Sequence, residues 1–212
     1  MPLPILKHKI IYIFISCQKN LKTAAERIRT MMKKANNNDY IIVSGGGNET
    51  TYDSYSKIVN LKCNDNYEGL PEKVFNTIKY IMNDDRFNQY SHICKLDDDM
   101  IIQTFFTAEI LDNKHYLGIV EYNEGARDWH IGRCSIGSKF NTSKYTGIFV
   151  PWCKGGYGYI LSRMAMNIIT QTHTMDDEIY EDVGIAKILY KNNIHPENAT
   201  YLRTYITSPD HI

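Results

Sequence analysis

A chain of 212 residues is long enough to bury a sizeable core and suits one large domain. Its 24 Lys and Arg balance its 24 Asp and Glu, which argues against a general electrostatic grip on nucleic acid or anionic lipid. Five scattered cysteines (Cys17, Cys63, Cys94, Cys134, Cys153) form no CxxC pair and read as reduced, structural thiols in a cytoplasm-like compartment.

The apolar run at 10–15 is too short to span a bilayer and follows no signal-peptide pattern, so no membrane span and a cytoplasmic location are expected. Acceptor patterns for N-glycosylation at Asn48, Asn141 and Asn198 are then silent. Residues 9–16 are nearly continuously apolar, which predicts a strand covered on both faces, as in a parallel sheet. A helix is predicted over 20–34, with Ala24, Ile28, Met31 and Met32 to one side. A second strand at 40–43 stops at Ser44 and three glycines. That run lacks the lysine of a phosphate loop and reads as a flexible turn. A third strand is predicted at 57–61. Pro71 and Glu72 then suit the first turn of a helix whose buried stripe is Val74, Ile78 and Ile81.

The next strand ends in Asp97, Asp98 and Asp99, after which apolar residues resume. Three adjacent carboxylates repel one another and need compensation, either from solvent at a turn or from a hard divalent cation. Strand and helix alternate up to this point, which predicts an α/β sheet with ligands beyond the carboxyl ends of its strands. The triplet lies at such an end.

Beyond Ile102 the expectations are a short helix at 105–111, strands at 115–122 and 129–134, and a polar, mobile loop at 135–146. The segment 151–159 carries Gly155, Gly156 and Gly158, which either let backbone approach a ligand or make a tight turn before a buried helix from Ile160 onward. A second acidic cluster, 176–182, heads a further helix, and 200–206 reads as a last strand. The 16 tyrosines could line a carbohydrate or nucleotide surface, though composition alone does not establish one.

Six ordered blocks resemble the β-1,3-glycosyltransferase family, galactosyltransferase- and fringe-like, with a GT-A fold. They are Arg27-Ile28-Arg29-Thr30-Met31 (methionine where the family has tryptophan), Asp65-x-Tyr67-x-x-Leu70-x-x-Lys73 (with Pro71 in place of threonine), Lys95-Leu96-Asp97-Asp98-Asp99, Arg127-Asp128-Trp129-His130, the stretch from Pro151 to Ser162, and Glu181-Asp182-Val183. The resemblance implies one GT-A domain over 1–212, with a mixed, mostly parallel central sheet flanked by helices. A Rossmann-like nucleotide-binding half would cover about 1–102 and an acceptor-binding half about 103–212. The compact form is similar to stand-alone transferases of large DNA viruses or microbes, or to one domain of a longer protein.

By the same resemblance, the protein transfers a sugar from a UDP-sugar donor to a carbohydrate hydroxyl with the help of Mn²⁺ or Mg²⁺. Asp99 would bind the metal directly, Asp97 would share it and hold the nucleoside, and Asp98 would act through metal or water, with Lys95 part of the same nucleotide motif. His211 would complete the metal shell, unless it sits in a frayed tail. Asp182 would be the base of an inverting transfer and Glu181 the runner-up, and both residues could also cap their helix. Gly155, Gly156 and Tyr157 would shape the sugar pocket; Trp129, His130 and Trp152 would form an acceptor platform. A retaining transferase, a non-catalytic carbohydrate-binding module and a metal-dependent nuclease or phosphatase remain as alternatives.

Overall fold

The first strand, β1 (Ile10–Ile15), is buried along its whole length, and its alternate residues enter two different cores. The structure, a computed structural model, describes residues 9–106, 108–122, 127–172, 175 and 177–207. Ile10, Tyr12 and Phe14 pack with Ala24, Ala25, Ile28 and Met32 of α1 (Leu21–Lys34). Ile11, Ile13 and Ile15 face the opposite core. Each such side chain contributes about 1.5–3 kcal/mol by leaving water, so a continuous apolar strand is stable only when both faces are covered.

Then come β2 (Tyr40–Ser44), β3 (Thr51–Asp53), β4 (Ile58–Asn60), α2 (Leu70–Asn83) and β5 (His92–Asp97). β1 pairs in parallel with both β2 and β5, and β2 with β4. Strand order therefore reverses on either side of β1, and the crevice at the carboxyl ends of β1 and β5 is the place such sheets offer a ligand. α2 carries Pro71 in its first turn, where the missing N–H costs nothing, and buries Val74, Ile78 and Ile81.

The remaining strands are short: β6 (Ile101–Ile102), β7 (Tyr116–Gly118), β8 (Val120–Glu121), β9 (Trp152–Cys153), β10 (Tyr159–Ser162), β11 (Glu197–Asn198) and β12 (Ile206–Thr207). Two helices complete the layers, α3 (Arg163–Thr170) and α4 (Glu181–Lys191). The main sheet has eight strands in the order β11-β7-β10-β5-β1-β2-β4-β3. It is mixed, because β10 runs antiparallel to β5 and β7, and β3 antiparallel to β4. The expected α/β architecture, one mixed, mainly parallel central sheet with flanking helices, is the one found. All five cysteines are free thiols.

Several expectations for the second half are corrected. Residues 129–134 are turns, not a strand: Ile131 N–H donates to Asp128 O, Arg133 N–H to His130 O, and Gly132 has φ +79°. Residues 160–162 belong to strand β10, and the helix starts only at Arg163, with the Ser162 hydroxyl accepting from Ala165 N–H at 3.2 Å. The stretch 200–206 is mostly a 3₁₀ turn (Thr200–Thr204) before β12. The strand expected at 115–122 is divided between β7 and β8. The polar loop 135–146 is tied down, with Asn141 donating to the carbonyls of Cys134 and Ser135, and Tyr145 bridging Arg127.

Candidate active site

Alternation along β5 sends Ile93, Lys95 and Asp97 to the face covered by α4, while Cys94 and Leu96 enter the other core. Lys95 is 2 % exposed. Its Nζ donates to Asp97 Oδ1 at 2.7 Å and to Gly155 O at 3.3 Å, and lies 3.4 Å from Glu181 Oε2. The other oxygen of Glu181 accepts the Tyr159 hydroxyl. Burial draws the Lys95 ammonium down, but Asp97 and then Glu181 outweigh it, so its pKa ends above the usual value. Burial pushes the Glu181 carboxyl up to about 7, against the pull of Lys95 and with a push from Asp182. Lys95 stays charged because the nearer carboxylate, Asp97, is its main partner.

The triplet opens onto a cleft of about 350 Å³ between the ends of β1 and β5, bounded also by Asp65, Tyr67 and Lys73. Ser16 donates to Asp98 Oδ2 at 2.6 Å, and the Arg27 guanidinium donates to the Asp98 carbonyl. Burial raises the Asp99 carboxyl, and the charges of Asp97 and Asp98 add to it. Across the cleft Asp65 pairs with Lys73 at 2.6 Å and accepts from the N–H groups of Gln18 (2.6 Å) and Gly45 (2.7 Å). A Cβ at Gly45 would come within 2.9 Å of Asp65 Oδ1, so the glycine run after β2 is a fitted wall and not a flexible turn. The Asp65–Lys73 pair is a feature that the residue pattern, read without the family, did not announce.

Oxygen donors suit a hard divalent cation, and Asp97 with Asp99 could supply two, leaving the remaining positions to water or a bound ligand. The triplet's carboxylates are half-buried to exposed and repel one another, which fits such an ion. Among the described residues no three His, Cys, Asp or Glu side chains converge by themselves on a metal position. His211 lies outside the described residues.

On the far side of Lys95, α4 delivers Asp182 at its first turn. Its Oδ2 accepts from Gly155 N–H at 3.1 Å, Oδ1 from Val183 N–H at 2.9 Å, and Arg127 Nη1 stands 3.6 Å from Oδ1. The carboxylate thus supports the helix start and is held next to the turn that carries Gly155. A Cβ on Gly155 would meet Glu181 Oε2 at 2.8 Å, whereas one on Gly156 would meet nothing within 4 Å. Gly155 is therefore fixed by packing, and Gly156 and Tyr157 form the outer part of the 3₁₀ turn Gly155–Tyr157. Of the three residues expected to form an acceptor platform, Trp129 is 60 % exposed, but His130 and Trp152 are buried. His130 is held by the Tyr180 hydroxyl (2.7 Å) and Ser143 O (3.0 Å).

The chain belongs to the galactosyltransferase family, whose model matches residues 48–200. No curated protein matches it by sequence. Among solved structures it is similar to a STIV protein (12 % identity, TM-score 0.46), covering 90 % of this chain and 81 % of that one. It is also similar to an active-site mutant of LgtC (10 %, 0.46; 90 % and 73 %). A third similar structure is a glycosyltransferase involved in glycosylation of the major capsid of PBCV-1 (11 %, 0.44; 89 % and 81 %). No helix among the described residues is long and apolar enough to cross a membrane.

Proposed function

We propose that the protein is a metal-dependent hexosyltransferase that moves a sugar from a UDP-sugar to a carbohydrate hydroxyl with inversion. The observation that carries this reading is the buried Lys95 ammonium, which ties Asp97 of the donor crevice to Glu181, the neighbour of Asp182. One cation thereby holds a leaving-group site and a base site in fixed relation. Asp97 and Asp99 would hold Mn²⁺ or Mg²⁺, which when bound supplies positive charge to the departing diphosphate. The resemblance to the family adds His211 as a further ligand.

Asp182 takes the proton of the acceptor hydroxyl as its oxygen attacks the anomeric carbon and the bond to the diphosphate breaks. Gly155 N–H and Arg127 hold that carboxylate in one orientation. Glu181, enclosed by Lys95 and Tyr159, braces Asp182 and leaves it the role of base. Nucleoside contacts fall to Asp97 and the Asp65–Lys73 wall. The test is release of UDP from a panel of nucleotide sugars, with and without Mn²⁺ and a glycan acceptor, followed by NMR of the product's anomeric configuration. No release with any donor would leave a carbohydrate-binding module, and a retained configuration would make the enzyme a retaining one.

A further inference from the structure

Arg127 stands between the Asp182 carboxylate and the Trp129 ring. Its guanidinium lies 4.2 Å from the centre of the Tyr180 ring, 4.3 Å from that of Trp129 and 5.3 Å from that of Trp152. Its Nη1 is 3.6 Å from Asp182 Oδ1 and, though buried, donates no hydrogen bond among the described residues. The backbone is pinned in both directions, Arg127 N–H to Tyr145 O at 3.2 Å and Tyr145 N–H to Arg127 O at 2.7 Å. Such a cation, 14 % exposed at its side chain, is held by ring faces and one carboxylate. A planar guanidinium can present its face to aromatics and its edge to a carboxylate together, which an ammonium cannot.

We propose that Arg127 is a positioning residue that sets the Asp182 carboxylate in register with the exposed face of Trp129. A sugar ring stacked on Trp129 then presents its hydroxyl to Asp182. This inference rests on the reading of Asp182 as base. Trp129 is the exposed member of the group, so it is the face an acceptor can reach. Tyr67, which bounds the donor cleft, feels the charges of both Arg127 and Asp182, so the register extends to the side where the transferred sugar arrives.

The test uses the full chain and the variants Arg127→Lys, Arg127→Gln, Asp182→Asn and the Gln/Asn double variant. The two tryptophans of the chain both touch Arg127, so their emission reports on this group without any turnover. UDP affinity, read by calorimetry, is expected to stay at the wild-type value in each. For Arg127→Lys and Arg127→Gln, kcat is expected to fall by about 10- to 100-fold with a raised acceptor KM, as misplacement of reacting groups costs. In the Asp182→Asn background Arg127→Gln should have no further effect on kcat, because it acts through that carboxylate. Wild-type kcat and acceptor KM in Arg127→Lys, or equal losses with and without Asp182, would overturn the proposal. Should the wild type transfer no sugar at all, the base reading fails by itself. The register is then judged by glycan-induced tryptophan emission: loss of the response in Arg127→Lys supports it and an unchanged response overturns it.

Discussion

Lys95 and Glu181, 86 positions apart, meet at 3.4 Å inside the protein, and Asp97 completes the contact at 2.7 Å. Replacing Lys95 by Met would leave two carboxylates without their shared partner. The expected cost is about 3–5 kcal/mol of stability, seen in thermal unfolding as a fall in Tm of about 10 °C. Unchanged Tm would show that solvent reaches this contact.

The raised Glu181 carboxyl gives stability a definite pH dependence. Its folded value, about 7, exceeds the ordinary 4.5, so the folded state keeps a proton that the unfolded chain has lost between those values. This contribution is complete below about pH 4.5 and disappears as pH rises through about 7. The shift corresponds to at most about 3 kcal/mol. Glu181→Gln should flatten that part of the stability profile in denaturant titrations carried out across the range.

Asp182→Asn preserves the shape that accepts from Gly155 N–H while removing the proton acceptor. Transfer should drop by about 10²- to 10⁴-fold, with UDP binding and Tm close to wild type. Full activity in this variant would shift the base elsewhere.

Asp99→Ala removes one carboxylate of the proposed cation site. Calorimetry of UDP with Mn²⁺ should show affinity reduced by more than about 100-fold, beyond the effect of altering outer partners. The same titration in EDTA should barely distinguish the variant from wild type. Equal metal dependence in both proteins would argue against Asp99 as a ligand.

Gly158 has φ +77°, and a Cβ there would meet Lys95 O at 2.8 Å and Leu96 Cδ2 at 2.6 Å. Gly158→Ala should cost about 1–3 kcal/mol in backbone strain. Because the obstruction pushes on β5 just before the triplet, weaker UDP binding should accompany the lower Tm.

The first hundred residues were legible because their elements are long enough to carry a period. β1, α1, β2 and α2 fall within a residue or two of their expected bounds. Past Ile102 the strands run two to four residues and owe their existence to partners across the sheet, which no local pattern encodes. Ile160 and Leu161 could equally have opened a helix; pairing with Cys94 and Ile93 makes them a strand. The acidic triplet and Asp182 stood out as charges beside apolar runs. Asp65, Lys73 and Arg127 were marked only by their place in blocks that resemble the family; that Asp65 pairs with Lys73 and that aromatics enclose Arg127 follows from contacts between distant segments, which no local pattern encodes.

β10, drawn from the last third of the sequence, occupies an interior lane beside β5. While a nascent chain ends before Tyr159, the triplet strand keeps one row of backbone amides and carbonyls open to any passing strand. The two halves are therefore consecutive in sequence but interlocked in space. Cutting the gene after Ile102 should yield a sticky, aggregating fragment instead of a free half-domain, so the crevice at the end of β5 is completed only once most of the chain has left the ribosome.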